Sequence, residues 1–316
     1  MAETGRRVVV AGESLIDRLV RPDGGVEDVV GGGPFTTARA LARLGLPVSF
    51  VGGLSTDASG ARLRAALAAD GVDLSLAVTT EAPTLLAIAA LDAAGVASYR
   101  FEPAGSAAAS LRPADLARGL PPDTAVLHVG TLGLVLEPVA EVIAGLISTA
   151  LPDVLVVVDP NLRPSAIEDA AVYRERLAKV IGRADVVRAS HDDLAWLAPD
   201  RSIEDTAMRI VGAGPSLLLL TEGAGPVRIV TGHGVRVVPV PAVRVVDTVG
   251  AGDAFGAGFL AAWLGGSRDR GALRDIDAVE TAVRFAIRVA SWTVGRPGAA
   301  LPTRADLGLP NLSGLD

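Results

Sequence analysis

The densest chemistry in the chain lies at residues 247–263, Asp-Thr-Val-Gly-Ala-Gly-Asp-Ala-Phe-Gly-Ala-Gly-Phe-Leu-Ala-Ala-Trp. The run Val243 to Val246 predicts a strand leading into a small-residue turn, Gly250-Ala251-Gly252. A helix is then predicted, with Phe255, Phe259 and Trp263 at i, i+4 and i+8 forming one apolar stripe, and Gly265-Gly266 ending it. The first amides of a helix have no partner within it, and small side chains leave them open to an anion. Asp253 sits at that point. A carboxylate there repels a phosphate unless it has work to do, such as taking a proton beside a transferring phosphoryl group. The plainer alternative is that Asp253 caps the dipole of a core helix. Both readings stand on these residues alone.

What the chain lacks narrows the chemistry. Lys179 is its one lysine, and no glycine-rich loop precedes it, so a Gly-Lys-Ser/Thr phosphate loop is excluded. Lys179 is predicted to lie on a solvated helix face among Arg174, Glu175 and Arg176. His128, His191 and His233 are far apart and form no zinc motif. No complete Gly-x-Gly-x-x-Gly occurs, which argues against a nicotinamide dinucleotide fold. Any phosphate chemistry must rest on backbone amides, arginines and a metal ion. A net charge of −7 argues against a nucleic-acid surface. The absence of cysteine rules out disulfides and thiolate zinc sites and fits a reducing compartment. No signal peptide and no membrane span is expected, so the expected location is cytoplasmic.

The seven residues Asp247-Thr248-Val249-Gly250-Ala251-Gly252-Asp253 resemble the C-terminal signature of the ribokinase-like (PfkB) carbohydrate kinases. The resemblance extends over about 7–300, nearest to fructokinase and 2-keto-3-deoxygluconate kinase-like members. It implies ATP-dependent phosphorylation of a sugar or sugar-acid hydroxyl. The amides of Gly250, Ala251 and Gly252 would form the anion hole, and Asp253 would be the general base. Gly12-Glu13-x-x-x-Asp17 resembles the segment whose Asp holds sugar hydroxyls. Gly31-Gly32-Gly33-Pro34 matches the sugar loop, with Thr36 where the family has Asn, a shorter polar arm. Gly52 to Gly60 resembles the rest of that N-terminal signature, with Ser55-Thr56 where Gly-Asp is common. Asp17, Gly32, Gly33, Thr36 and Arg163, the last within Asp159-Pro160-Asn161-Leu162-Arg163, are the implied substrate residues.

On the nucleotide side the resemblance implies Ser190, Thr221, Gly223, Gly225 and Gly252. Ser190 replaces the Asn of the family's Asn-x-x-Glu, leaving an acid at Asp193, and Pro226 replaces the closing Gly of the Thr221 loop. Asp247 and the carbonyls of Val249, Thr293, Arg296 and Gly298 are implied to hold a monovalent cation, K+. The implied cofactors are ATP and Mg2+. Sugar and ATP are the expected partners, with a homodimer formed through a lid. A nucleoside kinase of the same fold remains open, although only 3% of the residues are aromatic and nucleobases favour stacking. A non-catalytic sugar-binding regulator is the third alternative.

The elements that must position these residues follow from hydrophobic patterning. Half of the 316 residues are hydrophobic, which is ample for a large core. Val8–Glu13, Ala125–Val129, Val154–Val158, Asp185–Val187 and Leu217–Leu220 are short apolar runs, and Val48–Gly53 is another. Helical stretches near 137–150, 171–182 and 202–212 separate the later ones, and a last helix is expected over 277–294. Alternating strands and helices with continuously apolar strands predict an α/β, Rossmann-like three-layer core around a mostly parallel sheet. Ligands in such sheets bind beyond the C-terminal strand ends. Glu13, His128, Asp159, Arg188, Thr221 and Asp247 should therefore converge. Hairpins at 14–30 and 84–104, turning at Pro22–Gly25 and Asp92–Gly95, would add a small β lid. The expected division is a kinase core of 1–13, 31–83 and 105–316 with the lid inserted at 14–30 and 84–104. Residues 303–316 read as a loose tail.

Overall fold

The computed structural model describes residues 6–20, 25–91, 97–101, 105–117 and 119–310. The central sheet has eight strands: β1 (Arg7–Ala11), β4 (Val48–Val51), β9 (Thr124–Gly130), β10 (Leu155–Asp159), β11 (Val186–Ser190), β12 (Leu217–Thr221), β13 (Val227–Thr231) and β14 (Gly234–Val238). Their spatial order is β14-β13-β12-β11-β10-β9-β1-β4. The pairs β12–β13 and β13–β14 are antiparallel, and every other pair in this sheet is parallel.

Strand side chains alternate between faces, and both faces are buried. Val8, Val10, Val157, Leu217 and Leu219 pack beneath α1 (Gly33–Arg43), α7 (Ala251–Gly265) and α8 (Ile276–Val294). Val9, Ala11, Val156, Val158, Leu218 and Leu220 pack against α3 (Val139–Thr149), α4 (Ala170–Arg183) and α6 (Ile203–Gly212). Phe259 and Trp263 of α7 stack at 5.7 Å between ring centroids, the stripe expected for that helix. Gly258 brings α7 close to α8: a Cβ there would stand 2.9 Å from the Ala286 Cα.

A second sheet of four strands has the order β3-β2-β7-β8, from β2 (Leu15–Val20), β3 (Val26–Gly31), β7 (Leu85–Leu91) and β8 (Ala97–Phe101). The expected turns at 22–24 and 92–95 lie outside the described residues, as do 311–316. β5 (Gly53–Ser55) and β6 (Val78–Thr80) form a small parallel pair, and α2 (Ala58–Ala69) follows β5.

Four expectations need correction. The strand at 48–53 is two strands, β4 and β5, broken at Gly52. A Cβ on Gly52 would meet the Gly12 carbonyl oxygen at 2.3 Å, so the chain passes too close there for any side chain. Val243–Val246 is not a strand, and Val243, Val245 and Val246 are exposed. Pro239 and Pro241 upstream have no N–H to give a ladder. β14 extends the sheet beyond the expected strands: four of its five residues are exposed, and it pairs with β13 as the sheet's edge. Residues 303–310 are not loose: Leu307 is buried, and Asp306 accepts from the Thr303 amide and hydroxyl at 2.8 and 2.6 Å.

Candidate active site

The parallel strands place their C-terminal ends beside the first turns of α1 and α7, and polar side chains gather there. Gly33, the first residue of α1, marks the centre. A Cβ on it would stand 2.4 Å from Oγ1 of Thr131, 3.3 Å from Nδ2 of Asn161 and 3.4 Å from Oδ1 of Asp253. Thr131 follows β9 and Asn161 follows β10, and both have positive φ, 52° and 38°. Such backbone conformations are costly for side-chain-bearing residues and collect where function over-determines the geometry. Asn161 Nδ2 donates to Thr131 Oγ1 at 3.4 Å.

Glu13, at the end of β1, is buried beneath this centre. Its Oε1 accepts from the Gly33 amide at 3.1 Å and its Oε2 from the Gly133 amide at 3.0 Å. Burial pushes its pKa up to about 7, against the opposing pull of those amides and of Arg163. Asp17 projects from β2 over Gly31, where a Cβ would stand 2.1 Å from Oδ2. Burial lifts Asp17 to about 6, with the Arg163 charge opposing. Arg163 itself is held by the Asn161 side chain, Nη1 to Oδ1 at 2.8 Å.

Gly250, with φ 76°, turns the chain into α7. A Cβ there would meet Ala299 at 3.0 Å and the Thr36 methyl at 3.5 Å, so the sugar-loop helix and the α7 turn touch. The Ala251 amide donates to the Thr248 carbonyl at 3.2 Å. The Gly250, Gly252 and Asp253 amides have no protein acceptor among the described residues. Asp253, in the first turn of α7, keeps part of its surface open. Burial of its carboxyl, and then the charge of Asp159, raise its pKa to about 8; Arg188 and Arg163 oppose. Arg188 lies below. Its Nη1 reaches both oxygens of Asp159 at 3.3 and 3.2 Å, and its Nη2 donates to Thr221 Oγ1 at 2.9 Å.

Open amides at a helix start, with an acid of raised pKa beside them, suit proton removal next to a bound phosphate. Residues 6–306 match the family model described as pfkB family carbohydrate kinase. The chain belongs to this PfkB family.

The chain is similar to a curated fructokinase of Rhizobium leguminosarum bv. trifolii, 34% identical over 258 residues, which cover 80% of this chain and 78% of that one. The structure of a fructokinase from Xylella fastidiosa with bound ATP superposes with a TM-score of 0.88 at 31% identity, covering 96% of this chain and 97% of that one. A fructokinase double mutant from Vibrio cholerae O395, with fructose, ADP and potassium bound, superposes at 0.83 and 25% identity, covering 98% and 99%. The protein is thus a PfkB carbohydrate kinase, with the mixed α/β fold of its relatives.

The residues expected on the sugar side lie on β2, at the start of α1 and after β10. Gly33 is the one of them in reach of Asp253; Thr36 approaches Gly250, Arg163 acts on Asp17 and Asp253 through its charge, and a Cβ on Gly32 would meet the Glu13 carbonyl oxygen at 2.9 Å. The nucleotide-side residues are more engaged with the protein. Ser190 caps α5 (His191–Leu197) and bonds Asp193, which in turn accepts from the Leu162 amide at 2.8 Å. Thr221 is taken by Arg188. Gly223 (φ 53°) and Gly225 form the turn of the β12–β13 hairpin. Asp247 accepts from the Val249 and Gly298 amides at 3.0 and 2.8 Å. The Thr293 carbonyl accepts from Arg296 N and the Gly298 carbonyl from Ala300 N.

No cluster of three metal-ligating side chains occurs among the described residues. Asp193 spends both oxygens on protein donors, and Asp159 is paired with Arg188. A divalent ion here would be held chiefly by nucleotide phosphates and water, as Mg2+ commonly is. No helix among the described residues is long and apolar enough to cross a membrane. A cavity of about 510 Å3 lined by Ser216, His233, Arg236 and Arg274 lies at the other end of the sheet, away from this chemistry.

The strand-end rule points to Glu13, His128, Asp159 and Arg188 as neighbours but assigns none of them a role. Thr131 carries no signal in the sequence beyond following a strand. Its importance appears only through its distance to Gly33.

Proposed function

We propose that the protein transfers the γ-phosphoryl group of ATP to a sugar hydroxyl, with Asp253 as general base. The hydroxyl proton passes to the Asp253 carboxylate as the oxygen attacks phosphorus. The bond to the β-phosphate breaks and ADP leaves. The amides of Gly250 and Gly252, with the positive end of the α7 dipole, hold the charge gathering on the transferring oxygens. The Ala251 amide contributes less, because it is already given to Thr248. Mg2+ would neutralise the phosphates between ATP and this turn. Asp17, Gly32, Gly33, Thr36 and Arg163 orient the sugar, with Ser190, Thr221, Gly223 and Gly225 on the nucleotide side. A core of 1–13, 31–83 and 105–316 would carry the chemistry, with 14–30 and 84–104 as its lid. Two copies would pair through that lid.

The observation that carries this reading is the Asp253 carboxyl beside unpartnered amides, 3.4 Å from the Cβ position of a glycine on the sugar side. Fructose is the first acceptor to try, since the named relatives are fructokinases. The test is sugar-dependent ADP release across ketoses, pentoses, nucleosides and 2-keto sugar acids, with Asp253→Asn alongside. Expected is turnover on one sugar class and a loss of about 10²–10⁴-fold in the variant. Turnover of Asp253→Asn at the wild-type rate would reject the base assignment.

A further inference from the structure

Arg188 is buried at 9% exposure in the middle of the sheet, on β11. Burying a guanidinium costs several kcal/mol unless its surroundings return it, and buried ion pairs are weak stabilisers for that reason. Arg188 has one paired acid, Asp159, and one hydroxyl, Thr221 Oγ1. Its Nε is buried with no hydrogen-bond partner among the described residues. A Leu or Met would fill such a site more cheaply, so stability alone does not account for the charge.

Its position offers another account. The guanidinium lies flat against Gly252. A Cβ there would stand 2.7 Å from Nη1, 2.9 Å from Nη2 and 3.0 Å from Cζ. Any side chain at 252 would displace the cation. Gly252 carries one of the open amides, and Asp253 is the next residue. Arg188 therefore sits directly under the turn where phosphate charge is proposed to gather. In a water-poor site a fixed positive charge acts far more strongly than at the surface.

We propose that Arg188 is a positioning residue for phosphoryl transfer: packed beneath Gly252 and anchored by Asp159 and Thr221, it holds the anion-hole turn in place and sets its charge. This rests on the assignment of 250–253 as the anion hole. The cation favours the γ-phosphoryl group in transit more than the diphosphate of the product, so its loss should fall on turnover and on ATP rather than on ADP.

The test uses three variants of the whole chain: Arg188→Lys, Arg188→Met, and Arg188→Met with Asp159→Asn. The double variant removes both members of the Arg188–Asp159 pair, so Asp159 is not left buried without its cation; Asp253 and Asp193 still lose a neighbouring positive charge, and the melting temperature reports any folding cost. Melting temperature, kcat, and affinities for ADP and a non-hydrolysable ATP analogue are measured for each. In the double variant kcat is expected to fall by about 10²-fold, the scale of losing one preorganised donor. Analogue affinity should fall more than ADP affinity, and Arg188→Lys should recover part of kcat. The inference is overturned if the folded double variant turns over within about threefold of wild type, or if ADP and analogue affinities fall together in step with kcat. Should the double variant fail to fold, Arg188→Lys decides by the same ADP-to-analogue comparison. Asp253→Asn is run in parallel: if it alone keeps wild-type turnover, the base assignment fails and the Arg188 result is judged separately on its affinities.

Discussion

Gly33 and Asp253 face each other where α1 meets α7, with only 3.4 Å between the Cβ position of the one and Oδ1 of the other. The first residue of α1 thus packs directly against the proposed base. The same position is 2.4 Å from Thr131 Oγ1, too close for any real contact. Gly33→Ala must push Thr131 or α1 aside. The expected result is a fall in kcat/KM of about 10²-fold, as for a 1 Å misplacement, with ADP affinity kept. Wild-type kcat/KM in a folded Gly33→Ala protein would show that the contact is not part of the working geometry.

Asp253 also carries a stability prediction. Its pKa is about 8 in the fold against an ordinary 3.8, so the folded state holds the proton more tightly than the unfolded chain. That contribution is fully present below the unfolded value and is lost as pH rises through about 8. Glu13, at about 7, and Asp17, at about 6, act in the same direction. The wild type should therefore lose stability between pH 5 and pH 9, to the extent that these three groups dominate. Asp253→Asn removes one burdened charge. Its melting temperature should exceed wild type by at least about 2 °C at pH 8.5, with a smaller gain at pH 5.5. A gain that is larger at the acid end would contradict the raised pKa.

The same pKa sets the rate profile. A general base works only when ionised, and kcat/KM reports the free enzyme. The rising limb of log kcat/KM should bend near pH 8 rather than near pH 4. Since Arg188 and Arg163 pull Asp253 down, the bend should move higher in variants lacking either charge. A flat profile from pH 5 to pH 9 would remove Asp253, or its burial, from the mechanism.

Glu13 ties two loops through two amides, and neither oxygen is spare. Glu13→Gln replaces one acceptor by an NH2 group, which must face an N–H. Leaving one buried amide unsatisfied costs on the order of 1–3 kcal/mol. Because Gly33 opens the sugar helix, KM for the sugar should rise about tenfold or more, while KM for ATP changes little. Equal rises in both would mean that Glu13 supports the fold generally, with no bias to the sugar side.

Much of this site was legible in the sequence because local rules and the global fold agree there. Gly250-Ala251-Gly252-Asp253 is a turn, an open helix start and an acid in consecutive residues, each readable without its surroundings. The parallel strands were legible because they are apolar on both faces. Val243–Val246 misled because its apolar residues are exposed and its Val246 amide bonds the end of α8 instead of a strand. Thr131 and Arg188 were not assigned roles for a different reason. Their meaning lies in distances to Gly33 and Gly252, across 98 and 64 residues of chain (131 − 33 and 252 − 188), and no local pattern encodes such a distance. Gly33 and Gly252 are implied as site residues by the family resemblance, but only the structure shows that a neighbour's polar group occupies the space of a side chain at each.

Asp247 closes the argument at the other end of the turn. Its Oδ1 accepts from Val249 and its Oδ2 from Gly298, while Val246 and Asp247 donate to the Val294 carbonyl at 2.8 and 3.2 Å. The loop before α7 is thereby stapled to the end of α8. If a monovalent cation joins this staple through the carbonyls of Val249, Thr293, Arg296 and Gly298, the wild type should turn over faster in KCl than in choline chloride. Asp247→Ala removes both accepted bonds and the only carboxylate in the group. It should lower kcat by up to about 30-fold, the limit set by two lost hydrogen bonds of about 1 kcal/mol each, and abolish the difference between the two salts. Asp247→Asn keeps one acceptor and should fall between. A potassium response that persists unchanged in Asp247→Ala would place the cation elsewhere, leaving the staple a purely mechanical tie.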